Sequence, residues 1–535
     1  MKKLLLALVV VAALALAACN QAAGPAQDTG TAAPAGDAAT GAADQAAASD
    51  ARMVDGIDVS DFVEVIWYQM GDWPINGQLE AAQEEWNAIL EDRVNAHMTI
   101  RFIGWTDWTA QYALRLASGD GFDMIFTSTT WLDAWPNAQR GAFMPLDDLI
   151  PVYAPRTWSA VPQEHWDQAR FNGEIVLLPG DSYTQWVNHG FYYRGDWADQ
   201  IGIQGPITNW DMLEQYFQGI LDLFDGEIVP WDTPAHPMTW ELWLDSHTGS
   251  LEVIGAAGLY RSRGRDNLAE VFSPIFDDIF LEYAIRMYDW GNRGFWREDV
   301  LHFTGDTRAL MEEGRTGSDQ HHTQTYRGLI NSMERLQPGS DLRMFHTHLV
   351  PGYPDNLMRS TVTHDAMSVG ANAANPGRAL MIYDLFRFDE QLQHLIRYGR
   401  EGVQYVINED GLRAEPEGFD HDAHGFDAGF WQARNDELTL WHENDWLGVI
   451  DIWNYLDSRS FPFQFAGFVW DQSPVVTQAA NVGNVYNAQL PGIAMGRAGD
   501  PVAAVERLRN DLRAAGIEAV IDEANNQLAA WYANR

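Results

Sequence analysis

The sequence predicts an α/β protein organised around an open parallel sheet. Two observations carry this expectation. Strand-like and helix-like segments alternate strictly between residues 62 and 126. The whole chain is 46% hydrophobic and 12% aromatic, enough to cover both faces of such a sheet and to build about three domains.

The elements follow in order. Phe62-Val63-Glu64-Val65-Ile66-Trp67-Tyr68 alternates partially and stops at Gly71-Asp72, as a strand does. From Gln78 to Val94 the residues Leu79, Ala82, Trp86, Ile89, Leu90 and Val94 recur at helical spacing. Met98 to Ile103 reads as a second strand, ended by Gly104, and Trp108 to Ala117 as a helix closed by Ser118-Gly119. Phe122 to Phe126 is a third strand. Ile175 to Pro179 and Phe191 to Tyr193 read as strands, and Asp211 to Phe224 and Pro274 to Trp290 as helices. Asn375 to Tyr398 reads as one long helix, and Pro501 to Trp531 as a helix broken at Gly516. No repeat of fixed period is visible. Ligands of open α/β sheets sit at the carboxyl ends of the strands. The segments leaving those ends are rich in aromatics: Tyr68 to Trp73, Trp105 to Trp108, and Thr127 to Trp135.

The N-terminus carries an address. Met1-Lys2-Lys3 precedes an apolar run from Leu4 to Leu16, too short for the about 20 residues of a membrane span. A positive start, a short apolar core and small residues before a cut describe a signal peptide over residues 1–18. Leu16-Ala17-Ala18-Cys19 resembles a lipobox, and Cys19, the only cysteine, has no partner for a disulfide. Asn20 to Asp50 is almost wholly Ala, Gly, Thr, Gln, Asp and Pro and reads as a tether. Stable anchoring takes two or more acyl chains, so a multiply acylated Cys19 would hold the protein at a membrane.

Charge excludes one class of partner. The net charge is −41; removing residues 1–18 takes two lysines and no acid, leaving −43. Every basic side chain after Lys3 is Arg. Phosphate recognition needs basic patches, so nucleic acid is not an expected partner. Dense negative charge favours solubility, including at high salt.

Segments spread along nearly the whole body resemble one family. These are Trp67-Tyr68 with Gly71-Asp72; Ile103 to Trp108; Ala117 to Thr127; Gly141 to Leu149; and Asn172 to Pro179. Tyr193-Arg194-Gly195-Asp196-Trp197, Asp365 to Gly370, Asn375 to Ala379, Tyr398 to Tyr405, Phe468 to Val475 and Leu512 to Trp531 continue the series. In this order they resemble the extracellular solute-binding lipoproteins of bacterial carbohydrate ABC importers. The departures are the missing lysines and a His/Asp-rich insertion from Asp420 to Asp427. The resemblance implies a two-lobed, periplasmic-binding-protein-like α/β fold, with hinge-connected lobes and a ligand cleft between them. It implies a lipidated Cys and tether over residues 19–55 and a first lobe from 56–190. A second lobe from 191–364, a return to the first over 365–465, and second-lobe and C-terminal helices over 466–535 complete the division. It further implies an oligosaccharide ligand, ABC permease subunits as partners, a monomer anchored to the membrane outside the cytoplasm, hinge closure on the ligand, and no cofactor. ATP hydrolysis belongs to the importer, and the chain carries no Walker motif.

Aromatic rings cover the C–H faces of sugars, while carboxylates and amides bond the hydroxyl rims. On that chemistry the sugar-contact candidates are Asp72, Trp73, Trp105, Trp108 and Trp131 on the first lobe. Tyr183, Trp186, Trp240 and Trp243 lie nearer the hinge and second lobe, and Trp470 and Asp471 in the C-terminal segment; Asn188 and Asp365 are further hydrogen-bonding candidates. For each aromatic, packing competes equally with ligand contact, and for Asp72, Asn188, Asp365 and Asp471 a structural role outweighs it. A secreted glycoside hydrolase is the rival reading, with adjacent acids such as Asp147-Asp148 and Asp277-Asp278, but no catalytic signature is present. A peptide or other solute in the same fold is another alternative. His321-His322, His346-x-His348 and Asp420-His421-Asp422-Ala423-His424 hold ligand-type residues; the last sits in a polar, Gly-rich stretch better read as a solvated loop, and no metal is expected.

Overall fold

The strand Val63–Met70 begins the first half of the structure, a computed structural model that describes residues 51–535 apart from 106–107, 119–120, 182–189, 236–237, 255–257 and 535. Cys19, Tyr183, Trp186 and Asn188 lie outside the described residues. The helix Gln78–Val94 buries Leu79, Ala82, Trp86, Leu90 and Val94, one face at i, i+3, i+4 spacing, against the sheet. Asn95, in the left-handed conformation at φ 50°, ends it and donates its N–H to Glu91 O. The chain then runs back as the strand Ala96–Ile103, whose Met98 carbonyl accepts the Trp86 indole N–H at 3.2 Å.

The main sheet has five strands in the order Ala96–Ile103, Val63–Met70, Met124–Thr127, Ala366–Val369, Leu178–Pro179. The first three are mutually parallel, so Met70, Ile103 and Thr127 end at one edge. Ala366–Val369 runs antiparallel to Met124–Thr127, which makes the sheet mixed where the sequence predicts parallel strands. The reason is connectivity: this strand re-enters the sheet after a long excursion. Leu178–Pro179 is antiparallel to it and therefore parallel to the first three. The chain thus leaves after Pro179 and returns at Ala366 along the same edge where the three parallel strands end.

The excursion builds a second body. Gly190–Arg194 is the centre of a three-stranded antiparallel sheet between Ser318–His321 and Leu342–Phe345. Around it pack the helices Trp210–Leu223, Met238–His247 and Asp278–Arg293, and from the chain's end Val476–Ala494, Pro501–Ala515 and Ile517–Ala533. One hydrophobic core runs through residues 59–178, 366–396 and 428–433, and another through 191–345, 358 and 461–528. Three stretches link the cores: 179–190, 358–366 and 433–448.

Several local expectations change. The single helix from Asn375 to Tyr398 is two, Pro376–Phe388 and Glu390–Tyr398. Asp389 takes an extended conformation between them and caps the second by accepting the Leu392 N–H at 3.1 Å, the usual role of Asp at a helix start. Ile175 to Pro179 is not one strand; Glu174–Ile175 pairs with Arg170–Phe171 in a small hairpin and only Leu178–Pro179 reaches the main sheet. Pro274–Phe276 is a short 3-10 turn before the helix Asp278–Arg293. The break at Gly516, at φ 95°, falls as predicted between Pro501–Ala515 and Ile517–Ala533.

Candidate functional site

Because Met70, Ile103 and Thr127 end together, the segments that follow them meet at one edge of the first body. Trp105 follows the second strand. Its N–H donates to Asp72 Oδ1 at 3.3 Å, a tie to the turn after the first strand. Gly104 permits this approach, since a Cβ there would lie 2.5 Å from that oxygen. Trp131 follows the third strand. Ser128 shapes its turn, its hydroxyl accepting the N–H groups of Thr130 at 3.1 Å and Trp131 at 3.3 Å. Trp108 opens the helix Trp108–Ala117.

A fourth tryptophan joins them from far along the chain. Residues 428–433 belong to the first core, and Gly429 lies against the end of the first strand. Gln69 Nε2 donates to Gly429 O, and a Cβ at Gly429 would stand 2.9 Å from Met70 O. Glycine is required by the close approach and by φ 57°. Two residues on, Trp431 stacks on Trp105 with centroids 5.9 Å apart at 15°. Trp131 lies 6.0 Å from Trp105 and 5.4 Å from Trp108, and Phe126 sits behind at 5.5 Å from Trp131 and 5.8 Å from Trp431. Trp105 remains 43% exposed, so the cluster presents open ring surface.

Polar groups line the passage to the second body. Thr129 Oγ1 and Thr363 Oγ1 are 2.9 Å apart, and Thr130 Oγ1 lies 2.7 Å from His364 Nδ1. From the second body, His322 is pushed down to about 4 by burial first, with His364 and Arg308 adding to the effect. It is therefore a neutral ring at physiological pH. Asp319 is raised by burial, against the pull of Arg308, which it meets at 3.2 Å. Further out, Gln139 of the first body donates its amide to Asp471 Oδ1 at 2.9 Å and Ser473 Oγ at 2.8 Å of the second.

The structure thus brings together Trp105, Trp108 and Trp131, with Asp72 beside them. Trp73 sits apart, stacked on Phe102 at 4.7 Å and 24°. Trp240 and Trp243 require correction as contact candidates: they are 0% and 4% exposed in the second core. Trp240 packs on Phe280 at 4.8 Å and Trp243 on the His247 ring at 3.8 Å. Both lie on the helix Met238–His247, whose residues from Thr239 to Leu244 are all buried. Trp470 packs against the second core. Asp471 engages Gln139, and its carboxyl is held below the usual range first by the Ser473 hydroxyl. Asp365 is 7% exposed, and its carbonyl accepts the Gly180 N–H at 2.8 Å.

Sequence reading missed Trp431. Its signal was Phe430-Trp431 just after Gly425 and Gly429, aromatics in a glycine-punctuated stretch. It also missed Gln432, 1% exposed, whose amide oxygen and nitrogen both lack a hydrogen-bond partner.

The rival sites resolve into structural roles. Asp147 accepts from Arg170 at 2.7 Å and from the Ile175 N–H at 2.8 Å, and Asp277 from Arg263 at 2.9 Å. Asp420 caps the short helix His421–His424, accepting the Asp422 N–H at 2.9 Å. Among the described residues no group of three or more His, Cys, Asp or Glu is placed to hold a metal. A cavity of about 310 Å³ beside Ala113, Phe122 and Arg140, and a hollow of about 520 Å³ beside Trp243 and Arg286, include none of the clustered tryptophans. Among the described residues no helix is long and apolar enough to cross a membrane.

Comparisons with known proteins bear on the fold. Residues 76–294 match the family of bacterial extracellular solute-binding proteins, and residues 464–533 a domain of unknown function, DUF3502. A carbohydrate ABC transporter substrate-binding protein of Streptococcus pneumoniae serotype 4 is 20% identical over 473 residues, 88% of this chain and 91% of the relative. The crystal structure of the N-glycan transport solute binding protein NgtS from Streptococcus pneumoniae superposes with a TM-score of 0.72 at 18% identity, covering 89% of this chain and 100% of that one. The alginate-binding protein AlgQ2, solved without calcium ion, superposes with a TM-score of 0.63 at 18% identity over 88% of this chain and 99% of that one. The resemblance to solute-binding proteins of carbohydrate ABC importers, read from the sequence, is borne out, and the fold is the two-lobed α/β fold of that group.

Proposed function

We propose that this protein is the substrate-binding component of a carbohydrate ABC importer, and that it captures an extracellular oligosaccharide on the Trp105–Trp131–Trp431 face. The observation that carries the reading is the convergence of those three rings at the edge where the chain crosses to the second body. Three exposed or half-buried indoles sit there with hydroxyl groups of Thr129, Thr130 and Thr363 alongside. Such a face suits sugar rings, which offer apolar C–H surfaces and hydroxyl rims. Placed between two bodies joined by three linking stretches, it would be covered when the bodies close.

On this reading the lobes follow the two cores. Residues 56–180 and 366–433 form the first lobe, and 191–358 and 449–533 the second. This division gives Leu456, Phe461 and Phe465 to the second lobe, whereas the sequence reading places them in the first-lobe stretch 365–465. Phe461 and Phe465 belong to the second core, and Leu456 packs with Leu357. The protein binds and releases its cargo unchanged, acts as a monomer, and hands the sugar to permease subunits. Cys19 is its lipid-bearing residue, holding it at the outer face of the cell membrane through the 19–55 tether.

The test is a thermal-shift screen of residues 51–535 against plant and microbial oligosaccharides, with recovery of the sugar. A ligand at 100 times its Kd adds about 2.7 kcal/mol to the folded state. A shift with intact sugar supports the reading. A shift with cleaved sugar replaces it with a hydrolase, and shifts from peptides alone replace the ligand class.

A further inference from the structure

The segments that assemble the tryptophan face share a second property. Residues 69–75, 102–108, 126–135 and 426–433 carry one aspartate each, Asp72, Asp107, Asp133 and Asp427, and no Arg, Lys or His. Asp107 lies outside the described residues. The other three are exposed. Asp72 is fixed beside Trp105 through the backbone N–H. Asp133 follows Trp131 by two residues, in the left-handed conformation at φ 51°. Asp427 accepts the Gly429 N–H at 2.7 Å, in the turn that presents Trp431.

Of the two arginines nearest along the chain, one is paired with an acid and the other rests on a neutral tyrosine. Arg101 donates to the Tyr68 hydroxyl at 3.4 Å, and Arg434 pairs with Asp436 at 3.1 Å. On the second body, Arg308 meets Asp319 at 3.2 Å. His364 is tied to Thr130. The whole chain carries a net charge of −41, so no distant field offsets the local one.

We infer that the oligosaccharide taken at this site is neutral, and that glycans bearing uronate or sulfate groups are rejected. The inference rests on the oligosaccharide reading above. Carboxylates accept hydrogen bonds from sugar hydroxyls, and they suit a ligand made of little else. An anionic sugar would meet the exposed carboxylates of Asp72, Asp133 and Asp427, and the flanking Arg434 is already paired with Asp436. Like charges set against each other across an interface are a device of rejection. The ring faces add to it, since an indole presents negative charge over its plane.

The experiment is calorimetric titration of residues 51–535 with matched pairs. Manno-, gluco- and galacto-oligosaccharides are compared with oligosaccharides of the corresponding uronic acids, of equal length and linkage, so that each pair differs at C6. Measurements are made at low and at molar salt. The expected result is a neutral member that binds and a uronate counterpart weaker by about 30-fold or more at low salt. The gap narrows in molar salt, where the screening length falls to about 3 Å. The double variant Asp72→Asn, Asp427→Asn narrows it at low salt. A uronate that binds as tightly as its neutral counterpart overturns the charge inference and leaves oligosaccharide capture standing. A ratio unchanged in the double variant also overturns it. Failure of every pair to bind overturns the oligosaccharide reading itself, and this inference with it.

Discussion

Replacing Trp105 with alanine isolates the contribution of the stacked face. Trp105 has 43% of its surface exposed. Of the about 250 Å² that a large aromatic side chain can bury, that fraction is about 100 Å². A sugar covers one side of the ring, about 50–60 Å² of it. At about 25 cal/mol per Å² this is about 1.4 kcal/mol, or about tenfold in Kd. The variant also strips one partner from Trp431 and Trp131, so the expected range extends to about 3 kcal/mol. Titration calorimetry with the best ligand of the thermal-shift screen measures it. The control is Trp240→Ala. That side chain is fully buried in the second core, and its loss should cost about 3–5 kcal/mol of stability while the folded fraction binds with unchanged Kd. A Trp105→Ala protein that binds within twofold of the parent would refute the assignment of the stack as a sugar platform.

Three further outcomes are expected. Glu241 is buried, and its carboxyl is pushed up to about 8 by burial first and by Glu252 next, so the native protein keeps a proton that the unfolded chain loses near 4.5. Native binding of that proton means stability is lost as pH rises from about 4.5 to 8; Glu241→Gln removes the loss, and its advantage in unfolding free energy should grow from pH 5 to pH 8 by about 1.4 kcal/mol per pH unit, while a difference independent of pH would contradict the buried-proton account. Gln139→Ala removes both hydrogen bonds between the helix Ala134–Gln139 and the turn at 471–473. It should raise ligand off-rate about threefold in stopped-flow while leaving unliganded Tm nearly unchanged, because the partners are exposed and each bond contributes about 0.5–1.5 kcal/mol; an unchanged off-rate would deny these bonds a part in holding the lobes. Cys19→Ala should move the protein from the membrane fraction to the medium on cell fractionation, and retention in the membrane would remove Cys19 as the anchor.

What the sequence determined by itself was local and periodic. The helices Gln78–Val94 and Trp108–Ala117 fall where apolar spacing and glycine stops place them, since amphipathic period and terminators act within a turn or two. Trp105, Trp108 and Trp131 were legible as site candidates because each follows a strand of a parallel run, and parallel strands end on one edge. What only the tertiary structure decided depends on contacts between distant residues. Trp431 joins Trp105 across more than three hundred positions through Gly429 lodged on Met70, and no local pattern encodes that approach. Trp240 and Trp243 carry the same residue type as Trp105 yet fill the second core, because burial is set by the helices packed above them rather than by the tryptophan itself. The split at Asp389 was hidden because a capping carboxylate in an apolar run leaves the helical period on both sides intact. The antiparallel entry of Ala366–Val369 followed from the chain's return out of the second body, a fact of topology that residue spacing does not record.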